Sequence, residues 1–96
     1  MIIELNKFGV TLTSREDGQQ SLRAMKASLI GLDSDELIYI NFTGVNTLSP
    51  AWADEFIVPL NASFIKRLKL IKSANPSVEA TLSLLEKIHQ IKFIIE

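Results

Sequence analysis

Apolar and polar positions in the first 13 residues follow the short-period pattern of β-strands. The segment MIIEL is short, apolar and rich in β-branched residues, and VTLT alternates apolar and polar positions. Between them, NKFG supplies the asparagine and glycine that turns use. The pattern predicts a β-hairpin over residues 2–13.

A helical period follows this segment. Apolar residues recur at intervals of three to four positions, at Leu22, Met25, Leu29 and Leu32. They form one stripe on a predicted helix that ends near Gly31. Thr13 and Ser14 each offer a capping oxygen, and Thr13 with Glu16 makes the better capping box. Gly18 inside the helix costs about 1 kcal/mol relative to alanine, which fraying of the first turns or close packing could accommodate.

Two more helices each begin with a capping residue followed by proline, at Ser49-Pro50 and Asn75-Pro76. The first has apolar residues at every fourth position: Trp52, Phe56, Leu60 and Phe64. The second has the stripe Val78, Leu82, Leu85 and Ile88. Pro59 removes one backbone hydrogen bond from the earlier helix and predicts a kink or a division there.

Three segments remain for the sheet. LIYINF is a nearly continuous apolar run, which predicts a central strand covered on both faces. LKLIKS predicts another strand, and residues 91–96, IKFIIE, are either a final strand or a frayed tail. The order is β-β-α-β-α-β-α, with the final β left open. This alternation predicts an α/β fold with a mixed, mostly parallel sheet in one domain, 1–96.

Composition excludes several classes of protein. The 96 residues suit one small domain, and a 47% hydrophobic content is enough to form a core. The absence of cysteine excludes a disulfide framework and thiolate catalysis. A net charge of -1 gives no overall electrostatic footprint for nucleic acid. Since neither a signal peptide nor a membrane-spanning apolar run is recognisable, we expect a soluble cytoplasmic protein without a membrane partner.

Residues that could carry catalysis form no recognisable constellation. His89 is the only histidine, so with no cysteine it cannot anchor a zinc site. Asp54 and Glu55 are adjacent on a predicted helix and should not share one metal ion. Four cations lie close together at Lys66, Arg67, Lys69 and Lys72. No aromatic stacking residues are interleaved with them, so we expect an outward strand face rather than a nucleic-acid site. We expect neither enzymatic activity nor a cofactor.

Two stretches, FGVTLTSREDGQQSLRAM and IYINFTGVNTLSPAWADEF, together resemble the STAS-like family of small bacterial domains. The matching positions are Phe8-Gly9, Ser14-Arg15, Gly18, Phe42, Gly44-Val45, Ser49-Pro50 and Ala53-Asp54-Glu55. The family is largely uncharacterised and is related to the STAS domains of anti-anti-sigma factors and anion-transporter tails. The resemblance implies a sheet with helices and a non-catalytic regulatory module, similar to an anti-sigma factor antagonist. It also implies a protein partner, such as an ATP-binding protein with the histidine-kinase fold.

The chain departs from the family pattern where phosphorylation would occur. The serine that is phosphorylated in true STAS domains aligns with Pro50, and the serine of the STAS-like pattern aligns with Ala51. Only Ser49 remains nearby, and we expect it to cap the helix, with a role as phosphate acceptor as the alternative. Asn41 stands in place of the aspartate that ends the strand, and Trp52 in place of a phenylalanine.

The loop and helix start at 43–55 form the predicted partner-binding surface. Its members are Thr43, Gly44, Asn46, Ser49, Pro50, Trp52, Asp54 and Glu55, with Arg15 nearby. Trp52 would be an anchor if exposed, but its place in the apolar stripe favours burial. Arg15 begins a helix, where a cation is disfavoured, and we expect an internal carboxylate as its partner. The alternative function is a small-ligand, anion or nucleotide site in the same crevice. The oligomeric state is left open.

Overall fold

Five short strands and three helices alternate along the chain in the computed structural model, which describes residues 1–96. In chain order they are β1 (Ile2–Glu4), a 3₁₀ turn (Leu5–Phe8), β2 (Thr11–Leu12), α1 (Arg15–Ile30), β3 (Ile38–Asn41), β4 (Thr47–Leu48), α2 (Pro50–Ser63), β5 (Leu68–Leu70) and α3 (Pro76–His89). All strand pairings within the two sheets are parallel. The predicted α/β class with three helices is therefore confirmed.

The predicted N-terminal hairpin is wrong. β1 pairs with β3, whereas β2 pairs with β4 in a separate two-stranded sheet. The connecting segment, Leu5–Phe8, forms a 3₁₀ turn rather than a tight hairpin turn. This path buries Ile3 and Leu5 in the main core. Because an isolated two-stranded hairpin is marginal in water, burial of these residues favours the longer-range pairing.

β3 is the central strand of the three-stranded sheet β1-β3-β5, as predicted. The prediction that both faces of this strand are covered is wrong. Ile38 and Ile40 are buried in the same core as the helices, whereas Tyr39 and Asn41 point the other way and are half-buried. Alternate residues of a strand lie on opposite faces, so the helices cover one face and leave the other open.

Residues 91–96 approach the outer edge of β5. Ile95 makes a parallel bridge to Leu70, and the backbone of Glu96 bonds with those of Leu70 and Lys72. Phe93 is buried in the core and fixes this segment beneath the end of α3. Residues 91–96 are therefore neither a full strand nor a frayed tail. They form a segment that is held by a single β-bridge and by backbone hydrogen bonds.

The helix starts follow local capping chemistry. Ser14 caps α1 by accepting a hydrogen bond from the Asp17 amide, so the preferred Thr13–Glu16 capping box is wrong and the helix begins one residue later. Ser49 and Asn75 cap the other two helices as predicted. Despite Pro59, α2 is continuous, so the predicted division does not occur.

α1 and α2 are in close contact at Gly18. A Cβ atom there would lie 2.6 Å from the carbonyl oxygen of Trp52 and 3.2 Å from the Glu55 Cβ. Only glycine permits this contact. It sets the N-terminal turns of both helices side by side, next to the loop that precedes α2.

Candidate functional site

The loop after β3 and the first turn of α2 present an exposed, uncharged surface. The exposed members of this surface, here called the 43–50 face, are Thr43, Gly44, Asn46 and Pro50. They follow the carboxyl end of the central strand, where ligands and partners of α/β proteins commonly bind. None of these four carries a charge, so contacts here would be hydrogen bonds and van der Waals contacts.

Side chains of α3 hold this face from behind. Asn75 Nδ2 donates to the carbonyl oxygens of Val45 and Asn46 at 2.9 and 3.0 Å. Ser77 Oγ accepts from the amide of Leu48 at 3.0 Å and also donates to its carbonyl oxygen. The carbonyl of Leu48 accepts a further hydrogen bond from Thr81 Oγ1 at 2.6 Å. The loop backbone is therefore held in place by contacts within the free protein.

The first half of the loop is fixed by Asn41. Its Oδ1 accepts hydrogen bonds from the Thr43 amide and hydroxyl, and its Nδ2 donates to Glu4 Oε2 at 3.0 Å. An aspartate at this position would place two carboxylates together and could not donate when ionised. The asparagine amide instead supplies the hydrogen-bond donor that the Glu4 carboxylate accepts. Gly44 has a φ of 86°, and a Cβ there would lie 2.8 Å from Asn6 Nδ2. Glycine is therefore required for this turn.

Ser49 links the start of α2 to the segment between β2 and α1. Its Oγ accepts from the amide of Trp52 at 3.2 Å and donates to the carbonyl oxygen of Thr13 at 2.9 Å. The predicted capping role is confirmed. A phosphate on Ser49 would eliminate the hydroxyl proton donated to Thr13.

Trp52 lies inside the core rather than on the 43–50 face. Only 1% of its surface is exposed, and its ring stacks on Phe56 with centroids 4.7 Å apart. Phe8 packs against the same pair. The favoured prediction of burial is confirmed, so the indole is inaccessible to a partner in this conformation.

A cluster of ionisable side chains joins the three helices beside this face. Arg15 Nη1 donates to Asp54 Oδ2 at 3.0 Å and to Glu55 Oε1 at 2.9 Å. The predicted internal partner of Arg15 is thus confirmed, and both adjacent acids supply it. His89 Nε2 lies 2.6 Å from the other oxygen of Asp54. Asp54 therefore connects the start of α1 with the end of α3.

These contacts change the acidity of two groups. Partial burial disfavours the charged form of Asp54, but hydrogen bonds from Arg15 and His89 outweigh it and lower the pKa of Asp54. Hydrogen bonds to Glu55 and then to Asp54 raise the pKa of Arg15. Asp54 is therefore ionised at neutral pH and is used for structural contacts.

Sequence reasoning missed the contact between His89 and Asp54. The two residues are 35 positions apart, and the only local signal was that each lies near a helix end.

The arrangement does not assemble a catalytic triad or a metal centre. The Ser49 hydroxyl donates to Thr13 rather than to His89, and His89 pairs with Asp54. No group of three or more His, Asp or Glu side chains is placed to hold a metal ion. A cleft beside Arg15 and His89 has a volume of about 120 Å³.

No protein-family model, curated protein or solved structure matches this chain. None of its helices has both the length and the hydrophobicity required to cross a membrane.

Proposed function

We propose that this chain is a STAS-like regulatory domain that binds a protein partner through the 43–50 face and has no catalytic activity. By resemblance to anti-sigma factor antagonists, the partner is an ATP-binding protein with the histidine-kinase fold. Arg15, Asp54 and Glu55 border the interface, while Ser49 and Trp52 support it from within.

The observation that carries this proposal is the fixing of an exposed loop by side chains from another helix. Asn75 alone holds two loop carbonyls and caps α3 at the same time. A surface ordered in advance loses less conformational entropy on binding, which favours recognition. The exposed, uncharged side chains of Thr43 and Asn46 supply hydrogen-bonding groups for the centre of an interface, where charged residues are depleted.

The alternative of a small ligand in the same crevice has less support. The cleft beside the start of α2 has a volume of about 120 Å³, whereas small-molecule sites usually measure about 300–1,000 Å³. Pro50 also removes one backbone amide from the first turn of α2. The small cleft and the missing amide both favour a protein partner over a nucleotide.

Affinity capture from the native cells with three baits tests the proposal. Wild type and Ser83→Arg should recover the same ATP-binding protein, and Asn46→Arg should recover it at least about tenfold less. Ser83 and Asn46 are both exposed, so the two variants add one cation at different surfaces. All baits must first give the same circular dichroism spectrum and melting temperature.

Recovery of one partner at equal levels by all three baits would contradict the proposed surface. Recovery of no protein, together with a thermal shift on adding a nucleotide or an inorganic anion, would support the ligand alternative. Mass spectrometry of the captured wild type tests phosphorylation, since a phosphate at Ser49 would add a regulatory switch to the interface.

A further inference from the structure

A groove separates the C-terminal halves of α1 and α2, away from the 43–50 face. Its volume is about 420 Å³. Five of its eight lining residues are hydrophobic, and the full set is Leu22, Lys26, Leu29, Ile30, Pro59, Leu60, Ser63 and Phe64. It begins roughly 15 Å along α2 from the capping residue.

The groove arises from the way the two helices pack. Gly18 brings their N-terminal turns into backbone contact, but nothing comparable brings the later turns together. Pro59 presents its ring to this groove and cannot donate a backbone hydrogen bond. The space between the later turns is therefore lined by side chains and left open.

The most exposed large hydrophobic residue of the protein lines this groove. Ile30 is 84% exposed and lines the groove, and Ile65 is 69% exposed and directly follows the lining residue Phe64. Single exposed apolar residues are common, but exposed apolar side chains beside an apolar groove indicate an interaction surface.

The charges at the groove are of one sign. Lys26 is its only charged lining residue, and Arg23 lies on the adjacent turn of α1. Arg67 stands over the ring of Phe64, 5.2 Å from its centroid. None of these three cations forms an ion pair within the chain. The nearest acid in the following connection, Asp33, does not line the groove and offers only its carbonyl oxygen to Arg67.

We propose that this groove binds an amphipathic helix whose apolar residues are flanked by acidic ones. Leu22 to Ile30 spans about 12 Å, or slightly more than two helical turns. That length accommodates apolar anchors at positions i, i+4 and i+7 of a bound helix. Acidic residues beside those anchors would face Lys26 and Arg23. No β-strand lines the groove, so strand addition has no edge to use here.

A second copy of this chain is a poor occupant on the grounds of charge. The exposed apolar residues Leu84 and Ile88 of α3 are spaced like anchors. Glu86 and Lys87 lie between them in sequence; Glu86 is half-buried and accepts a hydrogen bond from the Phe93 amide, whereas Lys87 is exposed and would meet Lys26 or Arg23. Like charges across an interface oppose binding, so the groove favours an acidic partner helix over the chain's own α3.

Two fluorescent peptides test the proposal. Both are designed 14-residue helices with leucine at i, i+4 and i+7; one has glutamates beside the leucines, the other lysines. Fluorescence anisotropy should show that the full chain binds the acidic peptide at least about tenfold more tightly than the basic one. In ¹⁵N-labelled protein, amide shifts should concentrate in residues 22–30 and 60–65 and spare residues 43–50.

Variants separate the roles of the apolar and charged residues. Ile30→Asp should weaken the acidic peptide by at least about tenfold, whereas the matched control Ile88→Asp on α3 should not. Lys26→Glu should reduce the preference for the acidic peptide or reverse it, which a merely structural effect would not do. Thermal unfolding shows whether each variant is folded.

Three results would overturn the proposal. The first is equal binding of both peptides or of neither, and the second is amide shifts confined to another surface. The third is a dimer in sedimentation that dissociates in Ile30→Asp, which would assign the groove to a second copy. Because the 43–50 face is assayed separately by the Asn46→Arg bait, failure here is distinguishable from failure of the proposed regulatory function.

Discussion

Replacement of Gly18 by alanine should destabilise the protein, although alanine is the better helix former. On helix propensity alone the change would stabilise α1 by about 1 kcal/mol. In the folded protein, however, the new Cβ would lie 2.6 Å from the Trp52 carbonyl oxygen and 3.2 Å from the Trp52 Cα. These are backbone atoms of the buried residue Trp52 in α2, so the clash cannot be relieved by rotating a side chain.

The size of the effect follows from these opposing contributions. Overpacking a well-filled site typically costs about 1–3 kcal/mol, and contact with backbone atoms places this site at the upper end of that range. After the gain in helix propensity, the net loss of unfolding free energy should be about 1–2 kcal/mol. For a domain of this size the melting temperature should fall by roughly 4–15 °C.

Gly31→Ala is the matched control. Gly31 has a φ of -84°, and nothing lies within 4 Å of an added Cβ. The same chemical change should be neutral there or stabilise by up to about 1 kcal/mol through the unfolded state. Urea denaturation of both variants gives the comparison. Stabilisation by Gly18→Ala equal to that by Gly31→Ala would refute the close packing of α1 on α2.

Three further changes test the contacts around the candidate site. Ser49→Ala should lower the unfolding free energy by about 1–2 kcal/mol in urea denaturation, because the cap to Trp52 and the bond to Thr13 are both lost; a loss of under about 0.3 kcal/mol would contradict these roles. Asn75→Ala should cost about 2–3 kcal/mol and speed amide exchange of Asn46; unchanged exchange would show that the loop is held by other contacts. The pKa of Asp54 is lower in the folded protein than its ordinary value of 3.8. The ionised carboxylate therefore adds its full contribution to the unfolding free energy at neutral pH. That contribution is lost as the pH falls below 3.8 and through the pKa of the folded state. The stability difference between wild type and Asp54→Asn should therefore narrow between about pH 6 and pH 2, and a constant difference in urea titrations across that range would rule out this contribution.

Local signals in the sequence were sufficient for the starts of α2 and α3. A capping side chain followed by proline acts within a few residues, so the starts at Ser49 and Asn75 could be predicted without tertiary information. The burial of Trp52 also followed from its place in a four-residue period.

Apart from the local errors at the Thr13 cap and at Pro59, the wrong or missing predictions concern contacts between distant residues. Adjacent strand patterns favoured a hairpin, but Ile3 pairs with Ile40, far along the chain. The apolar run at β3 concealed an alternation between the two faces of the strand. Tyr39 counts as hydrophobic in the pattern, but it lies on the open face of the sheet. The cluster of Arg15, Asp54 and His89 depends on how three helices are placed, which no local pattern encodes.

We propose the 43–50 face as the partner-binding surface. The most direct measurement is a titration of ¹⁵N-labelled protein with the purified ATP-binding protein recovered by the wild-type bait. Amides of Thr43, Gly44, Asn46 and Ser49 should shift or broaden first, while those of residues 22–30 should not change. Changes confined to the groove between α1 and α2, or to the open face of the sheet, would contradict it.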